Sequence, residues 1–237
     1  MFNNRTKAVA HTTHNSFSVV HLLRLHPLHI LIMRLQYAPR EPDPSNIETV
    51  EVYQRITARR LPRPLIPLDL TLLHAPPVAD GYNSFIGALR TKTVIAPSLL
   101  ELSICRVGRL NGAVYEWNIH GPLALKAGVS VQQLHEASTL PPFTDKDDEA
   151  QKAWKDTSLT RTQRIVLQYT DEVTMSVAVS DEVFQELRQV LGSDGEVVEL
   201  TTTVAGYNCV SRILVALDVG EHSTSRMKSA EEMAEHC

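Results

Sequence analysis

The chain has 237 residues, of which 43% are hydrophobic and 21% charged, enough apolar material for one sizeable core and unlike a disordered or fibrous polymer. Its 23 basic residues against 27 acidic ones, a formal charge of -4, leave no electrostatic footprint for nucleic acid or for an anionic membrane surface. Three cysteines, Cys105, Cys209 and Cys237, form no CxxC pair, which argues against a disulfide framework and for a reducing, cytoplasmic setting.

Residues 1–45 differ from the rest. Five of the ten histidines (His11, His14, His21, His26, His29) lie here, and no acid occurs before Glu41. The apolar run from Phe17 to Met33 is interrupted by His21, Arg24, His26, Pro27 and His29, so it makes a poor membrane span. The segment reads as a poorly structured leader. Arg5, Lys7, Arg24 and Arg34 without neighbouring acids make a mitochondrial presequence the alternative, and Met33 is a second candidate start.

The domain is expected over 46–220. Ser45 and Glu48 have capping-box spacing and predict a helix through about Arg59. After a proline-rich connector, helical segments follow over 68–74 and, restarted by Pro76 and Pro77, over 78–90. Pro97 opens a helix with apolar positions Leu99, Leu100, Ile104, Val107 and Leu110, ending near Gly112. The next helix starts at Ala113 and carries Glu116 and His120, with Gly121 and Pro122 expected to kink or break it. Ser130 with Gln133, and Thr160 with Gln163, repeat the capping-box pattern, and Ser180 with Gly192 brackets a further helix. No period-two alternation is sustained, although 173–179 and 197–204 are rich in β-branched residues. The fold class is all-α, with six or more helices. Residues 221–237 read as a flexible tail. Glu101-Leu-Ser with Gly108 recurs as Glu199-Leu-Thr with Gly206 at an offset of 98 residues, the mark of a weak internal pseudo-repeat.

Glu116 and His120 are four apart, on one helix face and close enough to share a proton. A turn at Asn111 and Gly112 would fold the preceding helix back so that Glu101 approaches His120, fixing its tautomer and raising its basicity. Such a pair is more often a solvated face or a packing contact. The Glu-x-x-His pattern of di-iron bundles is missing, so no metal is expected. Tyr115 and Trp117 are candidate pocket aromatics. Asn208 and Arg212 share a face of the last long helix and can bind a carboxylate, although such groups more often tie helices together.

The stretch from Glu101 to His120 (ELSICRVGRLNGAVYEWNIH), continuing through Pro122 to Gly128, resembles the carboxymuconolactone decarboxylase and alkylhydroperoxidase D superfamily. The resemblance extends from about Leu68 to Val219, including Leu73 to Pro76 and Tyr207 to Arg212. It implies an alkylhydroperoxidase D-like helical bundle, a homo-oligomer (trimer or hexamer), no cofactor and a small-molecule substrate. In the peroxidase branch the motif is a glutamate, eleven residues, Cys-x-x-Cys, three residues and a histidine. Glu101 and His120 match it, whereas the cysteine positions fall on Ala113 and Glu116. Thiol peroxidase chemistry is therefore disfavoured. What the resemblance leaves is a decarboxylase-like lyase or isomerase with Glu101, Glu116 and His120 as catalytic residues and Tyr115, Trp117, Asn208 and Arg212 against a lactone or oxidised acid. A silent binding scaffold is the remaining alternative.

Overall fold

A computed structural model describes residues 34–144, 148–220 and 225–235, within one compact unit that begins at Leu31. The leader residues 1–33 and Cys237 lie outside those described. Among the described residues every regular element is helical: α1 (Ile47–Arg60), α2 (Pro67–Leu72), α3 (Pro76–Thr91), α4 (Pro97–Leu110), α5 (Val114–Lys126), α6 (Val131–Thr139), α7 (Asp148–Lys155), α8 (Arg161–Met175), α9 (Asp181–Leu191), α10 (Asp194–Leu217) and α11 (Ala230–Ala234).

α4 is the centre. Leu100 through Gly108 are buried without interruption, so this stretch of α4 presents no solvent face, and the helix touches α5, α8 and α10. One core forms between α3, α4, α8, α9 and α10. A second joins α4 and α5 to α6, α7 and α11 around Trp117, Leu134 and Trp154. α1 and α2 make a third with Tyr53, Ile56 and Leu70.

Local signals place most boundaries. Ser130 and Thr160 accept from the backbone N–H of Gln133 and Gln163, whose side chains accept in return. Gly192 closes α9 in the left-handed region at φ 83°. α1 is a correction: Asn46, not Ser45, is its cap, because Asn46 Oδ1 takes the Thr49 N–H at 3.0 Å and Ser45 is held by Asp43. The β-branched run 197–204 lies inside α10, where packing on α4 and α8 overrides propensity. α10 is also long and apolar enough to cross a membrane, with half of the qualifying window buried inside the protein.

The expected domain limits were too narrow at both ends. Residues 34–45 have no regular structure, but they are docked: Ala38 is buried and donates to the Leu70 carbonyl, and the Tyr53 hydroxyl donates to Pro39. The tail expected to be flexible contains α11, whose Ala230 and Met233 are each 1% exposed. α11 is short, so burial holds it rather than propensity.

α5 runs on through Pro122 instead of breaking. It forgoes the one hydrogen bond Pro122 cannot donate. The flanking turns are held by tertiary contacts, with Trp117 Nε1 donating to the Lys228 carbonyl and Asn118 bonded to Arg226 and Lys228. Gly121 leaves room for a neighbour: a Cβ there would overlap the buried Met233 thioether, which would have to shift. Gly121→Ala is expected to displace α11 and cost about 1–3 kcal/mol. Urea denaturation, with a Met233→Ala background restoring most of the loss, checks it.

Candidate functional site

The turn at Asn111 and Gly112, with Gly112 at φ 65°, folds α5 back along α4. Gly108 permits the close crossing, since a Cβ would stand 3.2 Å from the Trp117 nitrogen and 3.4 Å from Glu116 Cβ. This brings Glu101, one turn into α4, against His120, near the middle of α5. His120 Nδ1 lies 2.7 Å from Glu101 Oε2. The other carboxylate oxygen is paired with Arg90 of α3, and the Arg90 guanidinium also bonds the Tyr207 hydroxyl. The Tyr207 ring meets the His120 ring edge-on at 5.0 Å.

Charge follows from these contacts. Burial pushes the Glu101 carboxyl up, but the bonds and charges from His120 and then Arg90 outweigh it and hold Glu101 below its ordinary range. His120 is shifted the other way: burial dominates and lowers its pKa despite the carboxylate. A neutral imidazole that donates Nδ1–H to Glu101 keeps its Nε2 lone pair free.

Glu116 is 1% exposed and does not bond His120. Its two oxygens lie 3.0 Å from the Ser211 hydroxyl of α10. Burial raises its carboxyl well above the ordinary value, against the weaker effect of that bond. Burial therefore favours the protonated form of Glu116 over the carboxylate.

Glu116, His120, Tyr115 and Tyr207 line a cavity of about 280 Å³, with Tyr82 and Arg90 on the α3 side and Arg59, Arg60 and Arg63 on the α1 side. Glu101 stands behind His120. Three expected substrate contacts are corrected. Trp117 points into the core with its indole bonded to Lys228, because positions 116 and 117 face different sides of α5. Asn208 is tied to Thr174, the Val204 carbonyl and Asn111, and Arg212 is turned onto Asn208. They brace α10 rather than face the cavity.

Ser211, Arg90 and the α1 arginines escaped sequence reasoning. Ser211 is one α10 turn beyond Tyr207, and the basic cluster Arg59-Arg60-Leu-Pro-Arg63 was visible but had no assigned face. Both Glu101 oxygens are committed to His120 and Arg90, and among the described residues no group of three or more His, Cys, Asp or Glu side chains could hold a metal. Cys105 is fully buried with its thiol pushed up, mainly by burial, while Cys209 is exposed on α10.

Residues 76–158 match the Carboxymuconolactone decarboxylase family. A search of curated proteins returns no match. Among solved structures, the alkylhydroperoxidase AhpD core of an uncharacterized peroxidase-related protein from Ralstonia eutropha JMP134 is 16% identical, with a TM-score of 0.61 over 85% of this chain and 94% of that one. A peroxidase-related protein from Silicibacter sp. TM1040 is 15% identical, with a TM-score of 0.59 over 79% and 90%. A variant of the debrominase Bmp8 in complex with 2,3,4-tribromopyrrole is 14% identical, with a TM-score of 0.59 over 86% and 99%. At these identities the three likenesses speak for the fold alone.

Proposed function

We propose, from the match of residues 76–158 to the Carboxymuconolactone decarboxylase family and from the cavity, a small-molecule lyase or isomerase that works by proton transfer at Glu116 and His120. The carrying observation is that Glu116 and His120 line one cavity, with Glu101 bonded to His120 Nδ1 behind it. Burial raises the Glu116 carboxyl and lowers the His120 imidazole, which favours an acid and a base side by side.

In the isomerase form, His120 Nε2 removes a proton from the carbon between a carbonyl and a C=C bond, and the C–H electron pair spreads into a dienolate. Glu116 delivers its proton to the far (γ) carbon of the dienolate, so the C=C bond moves into conjugation. The imidazolium proton then returns to the Glu116 carboxylate through water, restoring both groups. In the lyase form, a carboxylate leaves as carbon dioxide, its C–C electron pair forms the enolate, and Glu116 protonates the carbon before being reprotonated from solvent. Glu101 orients the imidazole and stabilises its cationic form, and Arg90 holds Glu101 in place. Ser211 positions Glu116.

The thiol route has no support at these positions. Ala113 and Glu116 stand where that chemistry needs sulfur, and Cys105 is an enclosed, protonated thiol.

Proton NMR in D₂O with a panel of β,γ-unsaturated γ-lactones and 3-oxo acids tests the reading. The wild-type protein is expected to exchange a carbon-bound proton or release carbon dioxide from at least one compound, and His120→Ala to lower that rate about 10²–10⁴-fold. No turnover across the panel, or an undiminished rate in His120→Ala, would overturn it.

A further inference from the structure

We infer that Arg59 and Arg63 form an anion subsite on the α1 side of the cavity, which takes the carboxylate of a small organic acid while its apolar body reaches toward Glu116 and His120. The identity of the reacting end rests on the function proposed above; the anion subsite does not.

Four arginines line the cavity, and two are matched. Arg60 gives Asp69 two bonds, at 2.7 and 2.8 Å, and Arg90 is paired with Glu101. Arg59 is not matched in the same way. Its Nε donates to Asn83 Oδ1, but its Nη2 is buried with no hydrogen-bond partner. The nearest carboxylate oxygen, Asp69 Oδ1, is 4.0 Å away and already takes the shorter Arg60 bond. A buried guanidinium N–H without an acceptor is rare in a folded protein, and here it belongs to a residue on the cavity wall. Arg63, exposed on the same wall, has no ion pair among the described residues.

The balance of charge agrees. Arg60 is paired with Asp69 and Arg90 with Glu101, while Glu116 is turned to Ser211. Two positive charges are left without a partner, both on the α1 side. The planar guanidinium fork matches the two oxygens of a carboxylate. Ile66, Leu68, Ile86, Val210 and Leu214 supply an apolar wall, which selects a hydrocarbon body over a sugar or a nucleotide. The anion subsite comes from α1 and the turn after it, outside the residues 76–158 matched to the family.

Titration calorimetry of the full chain with cinnamate, its neutral amide cinnamamide and phenyl phosphate tests the inference. Cinnamate is expected to bind about ten-fold or more tightly than cinnamamide. Arg63→Gln and Arg59→Gln are each expected to remove most of that preference, and His120→Ala to retain it. Arg59 packs on α3, so Arg63→Gln serves if Arg59→Gln does not fold. Equal binding of acid and amide, no binding of cinnamate, or an undiminished preference in Arg63→Gln overturns the subsite. Tighter binding of phenyl phosphate than of cinnamate overturns the carboxylate assignment. Turnover that fails while the acid preference survives refutes the catalytic reading and leaves the anion subsite standing.

Discussion

Glu116→Gln is expected to lower turnover about 10²–10⁴-fold while removing part of the loss of stability as pH rises above 4.5. The two effects share one cause. Glu116 is buried on α5 with Ser211 as its hydrogen-bond partner, and burial raises its carboxyl well above the ordinary 4.5. Below 4.5 the carboxyl is protonated in both folded and unfolded chains and contributes no pH dependence. Between 4.5 and the raised folded value the unfolded chain has released a proton that the folded chain still holds. The unfolded state therefore binds fewer protons, and stability declines as pH rises through that window. Glutamine keeps the shape and an acceptor for the Ser211 hydroxyl but carries no proton to lose, so this part of the decline disappears. Urea unfolding at a series of pH values reads the stability effect, and the D₂O assay reads the rate. A variant that keeps full activity, or one whose stability falls with pH as steeply as wild type, refutes the role given to Glu116.

The same pair of groups sets the pH profile of turnover. Activity needs neutral His120, whose pKa lies below its ordinary 6.5, and protonated Glu116. The acid limb is therefore expected below 6.5 and the alkaline limb well above 4.5, with the optimum between them. Glu116→Gln abolishes the alkaline limb in whatever residual activity remains.

Arg106→Leu or Asp171→Asn is expected to destabilise the protein by about 3–5 kcal/mol. Arg106, on the central helix α4, is 1% exposed and Asp171 of α8 is fully buried. They form a two-bond pair, Nε and Nη2 to the two carboxylate oxygens, at 2.6 Å each. The remaining Arg106 donors go to the carbonyls of Ala137, Leu140 and Pro141, and Asp171 also accepts from the Phe143 N–H at 2.7 Å. The guanidinium stacks over Trp154. Removing one charge strands the other in an apolar interior and leaves the chain at 137–143 without the bonds that hold it. Replacing both by apolar residues is expected to cost less than either single change, because neither charge is then left unpaired. Guanidinium denaturation of the two singles and the double decides it, and additive losses would refute the account. Neither residue lines the cavity, so turnover by the folded fraction should be unaffected.

Much of this protein was legible before its fold was known, because the information is local. Caps at Ser130 and Thr160, the glycine after α9 and the turn at Gly112 depend on residues three or four apart, and they landed where the residue types predicted. The meeting of Glu101 with His120 was also readable, since a tight turn between two helices leaves few other arrangements. The echo at Glu199 shows where such reading stops. Glu199 caps the backbone N–H groups of Val94 and Ile95, a role unlike that of Glu101, so the shared letters say nothing about chemistry.

The rest was decided by contacts between distant parts of the chain. The sequence alone determined an all-helical chain, the position of its acid and imidazole residues, and the absence of sulfur at the two positions where the peroxidase branch has it. Only the tertiary structure decided that Glu116 turns to Ser211 rather than to His120, that Asn208 and Arg212 brace α10 instead of facing the cavity, and that Arg59 and Arg63 come to the cavity from α1. Only it decided that α5 continues through Gly121 and Pro122, with Gly121 packed against Met233 of α11. The physical reason is common to all four. Burial and pairing with residues far apart in sequence set the protonation and the direction of a side chain, and spacing along one helix carries no information about what lies across from it.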